Sequence, residues 1–180
     1  MHNANNLAHL DIKPDNIIIN DDYTLGFIDF GHTNSKDVEL DTVVGTDSYM
    51  PPEVRQVKKQ PAGKHVYSAE KVDIFTLGIT LFMIMFGSVP FGKAELCDSF
   101  YKPLGMRNSD LFFKQHPSTS RLAKRGKLDF SMMFMVTALL DPEASKRPCI
   151  GKVYEYSWLS DAKQHITPSL QKEIESLLIL

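Results

Sequence analysis

The chain has 180 residues, 43% of them apolar and 23% charged, enough for one hydrophobic core and ordinary for a globular domain. Lys and Arg number 20 against 22 Asp and Glu, a formal charge of −2, which argues against nucleic acid or an anionic membrane surface as partner. Cys97 and Cys149 stand far apart without metal-ligand spacing, as reduced thiols would. The opening Met1-His2-Asn3-Ala4-Asn5-Asn6 is polar, unlike a secretory signal. The longest apolar run, Ile79 to Phe86, is too short to span a bilayer. The expectation is a soluble intracellular protein, cytoplasmic or nuclear, of open oligomeric state.

In chain order, a polar run comes first: His9-Leu10-Asp11-Ile12-Lys13-Pro14-Asp15-Asn16. Ile17-Ile18-Ile19 and Leu25-Gly26-Phe27-Ile28 then flank the polar residues 20–24, which reads as a β-hairpin with Asp29 emerging from its second strand. Asn16 thus stands where the hairpin begins and Asp29 where it ends. Residues 32–49 carry no helical period and read as a loop. Pro51-Pro52-Glu53-Val54 opens a short helix, since Pro suits a first turn, and residues 56–68 read as a surface insertion. Ser68 to Phe86 is the strongest helix. Its apolar positions Val72, Phe75, Leu77, Ile79, Leu81, Phe82 and Met85 surround the axis, so burial on all sides is expected, with Gly87 and Pro90 as stop signals. Further helices are expected around 93–103, 109–115, 129–140 and 149–158. A last one starts at Pro168 behind the cap Thr167 and puts Leu170, Ile174, Leu177 and Leu178 on one face, expected to pack on the body of the chain. The fold class is mainly α with a small β-hairpin.

Asp11, Lys13, Asn16 and Asp29 have a chemistry in common. Phosphoryl transfer needs a carboxylate to aim a hydroxyl, a cation for the moving phosphoryl group, and hard oxygen ligands for magnesium. These four residues are groups of those kinds, in the order of a known signature.

With further motifs downstream, the chain resembles the C-terminal lobe of the eukaryotic protein kinases, serine/threonine type. Residues 9–16 resemble the catalytic loop and Asp29-Phe30-Gly31 the magnesium-binding motif. Gly45-Thr46-Asp47-Ser48-Tyr49-Met50-Pro51-Pro52-Glu53 is similar to the end of the activation segment. Val72-Asp73-Ile74-Phe75-Thr76-Leu77-Gly78 is similar to the start of the helix beneath the catalytic loop. Asp141-Pro142, Lys146-Arg147-Pro148 and Trp158-Leu159 resemble the closing motifs. Order and spacing agree over residues 1–160, the partial catalytic domain, leaving 161–180 as a tail with the amphipathic helix.

The resemblance implies ATP and Mg²⁺ as cofactors and a Ser/Thr-bearing protein as substrate. It implies Asp11 as catalytic base, Lys13 on the phosphate, Asn16 and Asp29 on Mg²⁺, and Thr46 bonding towards Asp11 and Lys13. Ile18 would floor the adenine, Asp73 would hold the catalytic-loop backbone, and His9 and Phe30 would begin a stack between lobes. Glu53 and Arg147 would form a buried ion pair, and Thr42 aligns with the usual activation phosphosite.

Leu10 replaces a common arginine that pairs with a phosphorylated activation loop, so phosphate on Thr42 is not expected to be the main switch. Pro51 for alanine and Phe75 for tryptophan remove no charged group. A glycine-rich loop and its partner lysine do not precede His9. The 180 residues alone are therefore expected to bind ATP poorly, to turn over negligibly, and to expose apolar surface along Ile18 and Phe30. A catalytically inactive docking or scaffold module is the alternative reading, although it would not need the four polar groups. A small-molecule phosphotransferase ranks third, since those enzymes lack a segment like residues 45–53.

Overall fold

The computed structural model describes residues 1–59 and 65–164. A short first helix α1 (His2–Asn5) leads into β1 (Leu7–Ala8), and the polar run then ends in a 3-10 turn at Pro14–Asn16. The expected hairpin forms from β2 (Ile17–Ile19) and β3 (Leu25–Phe27), with Ile17 opposite Phe27 and Ile19 opposite Leu25. Residues 32–49 are more ordered than a loop. They contain β4 (Asn34–Ser35), which pairs antiparallel with β1, then β5 (Glu39–Leu40) and a 3-10 turn at Asp47–Tyr49. Strands of two residues give no alternation to read, and their partners are remote in sequence, so only tertiary contacts could reveal them.

Helix α2 (Pro52–Lys59) begins as expected, but it also takes in residues 56–59, and β6 (Tyr67–Ser68) pairs with β5. Of the expected insertion at 56–68, residues 60–64 lie outside the described residues. The long α3 (Ala69–Phe86) is capped by Ser68, whose hydroxyl accepts the Lys71 amide, and is stopped by Gly87 at φ 68°. Its first three turns are buried, whereas Ile84 near the end is 66% exposed; the all-round burial expected for it therefore holds only for those first turns.

Six helices follow among the described residues. They are α4 (Tyr101–Gly105), α5 (Ser109–Gln115), α6 (Pro117–Lys124), α7 (Phe130–Leu139), α8 (Ile150–Val153) and α9 (Ser157–Gln164). The expected helix at 93–103 is shortened because Asp98 gathers the amides of Gly92, Lys93, Phe100 and Tyr101 at 2.9–3.0 Å, which holds the preceding chain in turns. Helix α6 was not expected, since Ser118-Thr119-Ser120 hides its period; His116 caps it and Pro117 fits its first turn. The expected helix at 149–158 breaks into α8 and α9, and α9 runs on to Gln164, across the expected tail boundary at 160. The helix expected from Pro168 lies outside the described residues.

The larger core gathers around α3, with Phe75, Ile79, Phe82, Phe112, Phe113, Met135 and Leu139 among its buried side chains. Gly78 lets α3 and α7 meet: a Cβ there would come within 2.9 Å of Leu139 and Leu140. A second cluster surrounds Leu10 with Ala8, Met50, Val54, Val57, Tyr67 and Val72. Among the described residues no helix is long and apolar enough to cross a membrane.

Candidate active site

The polar run 9–16 crosses over α3, which holds it at two levels. Asp73 accepts the amides of His9 and Leu10, both at 2.7 Å. Two helical turns further on, Thr80 donates to the carbonyl of Ile12 at 3.4 Å. Leu10 takes a left-handed conformation, φ 68°, uncommon outside glycine; Asp73's grip on its amide and burial of its side chain hold it there. His2, which sequence reasoning did not single out, donates from Nε2 to Asp73 at 2.8 Å and is itself buried. A lone histidine near the start of the chain carries no signal of this.

Above that base the functional side chains converge. Lys13 Nζ donates to Asp11 Oδ2 at 2.8 Å and to Thr46 Oγ1 at 2.6 Å, and the Thr46 hydroxyl donates to Asp11 Oδ1 at 2.7 Å. The Thr46 amide adds a bond to Oδ1 at 3.0 Å. Thr46 can approach so closely because Gly45 passes against Leu10: its φ is 86°, and a Cβ would lie 2.6 Å from the Leu10 carbonyl. Burial pushes the Asp11 carboxyl up, but the hydrogen bonds from Lys13 and Thr46 and the Lys13 charge outweigh it, and the net shift is below the ordinary carboxylate value.

Asn16 donates from Nδ2 to the Asp11 backbone carbonyl at 2.9 Å and to its carboxylate at 3.0 Å. With both amide protons so used, its other end can serve only as a hard oxygen acceptor. Asp29 follows β3 in a left-handed conformation, φ 61°, with an exposed carboxylate that accepts the Gly31 amide at 3.3 Å. The two positions are tied through the hairpin: the Ile28 amide donates to the Asn16 carbonyl at 3.0 Å, and His9 Nε2 donates to the Ile28 carbonyl at 3.0 Å. His9 Nδ1 accepts the Asp11 amide at 3.3 Å, which places its proton on Nε2. The His9 ring also meets those of Phe27 and Phe30 at 5.5 and 5.3 Å.

Two oxygens do not make a protein cage, and among the described residues no group of three or more His, Cys, Asp and Glu side chains could hold a metal ion. The donor set suits a small hard cation that keeps water and substrate oxygens as its other ligands, as Mg²⁺ does.

The remaining residues named from the sequence lie around this centre. Ile18 and Phe30 are 42% and 52% exposed on the hairpin side. Thr42 is exposed, with its carbonyl held by the Tyr67 hydroxyl at 2.7 Å; burial pushes that Tyr67 hydroxyl up to about 12. Glu53 and Arg147 lie away from the cleft in a two-point pair at 2.6 and 2.8 Å. Arg147, fully buried, also donates to the carbonyls of Asp141 and Lys71 and lies over the Phe75 ring at 4.7 Å.

Comparison with known proteins places this geometry in a family. Residues 1–159 match the protein kinase domain, and the chain belongs to the protein kinase family. It is 36% identical over 172 residues to the ovarian-specific serine/threonine-protein kinase Lok of Drosophila melanogaster, covering 92% of this chain and 32% of Lok. It is 30% identical to an Aurora kinase of Eremothecium gossypii, covering 91% of this chain and 39% of that protein. CBL-interacting protein kinase 5 of Oryza sativa subsp. japonica is 27% identical, with coverage of 83% and 29%. The chain thus spans about a third of the length of these relatives.

Proposed function

We propose that the chain supplies the C-terminal lobe of a serine/threonine protein kinase, which transfers the γ-phosphoryl group of ATP to a Ser or Thr hydroxyl of a protein. The observation that supports this most directly is the closed Asp11–Lys13–Thr46 triangle with Asn16 beneath it. Asp11, kept ionised, aims the substrate hydroxyl and takes its proton as the oxygen attacks the γ-phosphorus. Lys13 offsets charge on the transferring group while the bond to the ADP oxygen breaks. Thr46, bonded to both, holds the two side chains together. Asn16 and Asp29 would hold Mg²⁺, which when bound neutralises phosphate charge. Ile18 would floor the adenine ring, and the exposure of Ile18 and Phe30 suits cover by a second lobe. Residues 1–160 then form the catalytic part and 161–180 a tail. A scaffold module would keep the same core with no use for the triangle.

The test measures phosphorylation of a generic basic protein by the 180-residue chain alone and by the chain joined to a kinase N-terminal lobe. The chain alone is expected to turn over negligibly and the joined form to be active. Asp11→Asn in the joined form should lower the rate by roughly 10²–10⁴-fold. Full activity with Asp11→Asn would overturn the role given to Asp11. Activity of the chain alone, abolished by the same change, would overturn its dependence on a second lobe.

A further inference from the structure

Helix α7 reads Phe-Ser-Met-Met-Phe-Met-Val-Thr-Ala-Leu, apolar around its circumference, yet the described fold covers only one side. Met132, Met135, Val136 and Leu139 are buried in the larger core. On the opposite side Phe130 and Phe134, one turn apart, are 83% and 67% exposed. Half-buried Met133, Thr137 and Ala138 continue the same stripe. A shallow cavity of about 250 Å³ borders it on one flank, touching Phe134, Thr137 and Ala138. A smaller one of about 60 Å³ touches Phe130 and Met133. Two neighbouring phenylalanines in water form the kind of patch that single domains keep for a partner.

We infer that this stripe is the docking face for residues 165–180 of the same chain. Helix α9, after which that segment follows directly, packs against α7, and the rings of Phe134 and Tyr156 meet at 5.8 Å just before α9 begins. The chain therefore leaves the described fold within the length of α9, about 12 Å, of the stripe. The segment carries Ile166, Leu170, Ile174, Leu177 and Leu178 at helical spacing. In helical form its 16 residues would reach about 24 Å, enough to cover the roughly 15 Å of α7. Charge agrees as well: Lys124, Arg125 and Lys127 are exposed just ahead of α7, and Glu173 and Glu175 flank Ile174. Tethering favours this segment over a separate molecule, because its effective concentration is on the order of millimolar.

Trypsin cleavage after Lys172 reads the docking in the full 180-residue chain, with molar mass measured by light scattering. The expected result is a monomer cleaved slowly at Lys172, at a rate independent of protein concentration. Both Phe130→Asp/Phe134→Asp and Leu170→Asp/Ile174→Asp should raise that rate by about tenfold or more, because cleavage follows the population of the open form. If the α7 double variant fails to fold by circular dichroism, Phe134→Ser, on an exposed side chain, takes its place. Equal rates in all chains would overturn the inference. So would acceleration by the segment variant alone, which would put the segment on another surface. Protection that appears only at high concentration, with a mass of two chains, would assign the stripe to a second copy instead.

Discussion

Asp11 carries most of the charge organisation of the site, through four hydrogen bonds to two carboxylate oxygens from Lys13, Asn16 and Thr46. Burial raises its pKa, the bonds and the Lys13 charge lower it more, and the folded value lies below the 3.8 of the free side chain. A carboxylate of this kind stabilises the fold at pH above about 3.8, and that contribution is lost as pH falls from there through the folded value. Asp11→Asn should therefore flatten the acid limb of stability measured by circular dichroism below about pH 4. An unchanged acid limb would contradict it. Leu10 makes the complementary point. Its side chain, with no charge to meet a phosphate, is 2% exposed inside an apolar cluster. Leu10→Ala should cost about 2–5 kcal/mol in urea unfolding. Thr42→Ala, on an exposed side chain, should leave the activity of the joined kinase within about twofold, since no cation waits at Leu10 for a phosphate. A large loss of activity would show another phosphate receptor.

At the scale of elements, the fold rests on ties between segments far apart in the chain. Glu53 in α2 and Arg147 after Ala144–Lys146 join across 94 positions, with Arg147 also bound to the carbonyls of Lys71 and Asp141. Removing one partner leaves a buried charge without compensation, so Glu53→Ala should destabilise by about 3–5 kcal/mol in thermal or urea unfolding. A loss below about 1 kcal/mol would mean that the pair behaves as a surface bridge. The hairpin β2–β3 was legible because three apolar residues on each side of a polar turn leave little else to form. The pairings of β1 with β4 and β5 with β6 were not, because two-residue strands exist only where a distant partner offers hydrogen bonds.

For the molecule as a whole, α3 is the axis on which both cores and the site are hung. Its close meeting with α7 at Gly78 sets how tightly the larger core closes. Gly78→Ala should cost about 1–3 kcal/mol by forcing the helices apart, with no loss of helix content by circular dichroism. A gain in stability would show that the interface can shift to accept a methyl group. Because Asp73 and Thr80 on the same helix hold the catalytic loop, this substitution should also lower the activity of the joined kinase more than exposed substitutions do.

What the amino-acid sequence alone determined was local: the residue types at Asp11, Lys13, Asn16, Asp29 and Thr46, set in order, on which the proposed chemistry rests, and the helices α3, α5 and α7. Those signals are local, and local physics writes them in consecutive residues. What the tertiary structure decided was everything that depends on distant partners. It turned His2 towards Asp73, made a strand of Glu39–Leu40, and left one side of α7 uncovered by the other described elements. No window of neighbouring residues carries that information, because each outcome depends on which segments, tens of positions apart, meet or fail to meet.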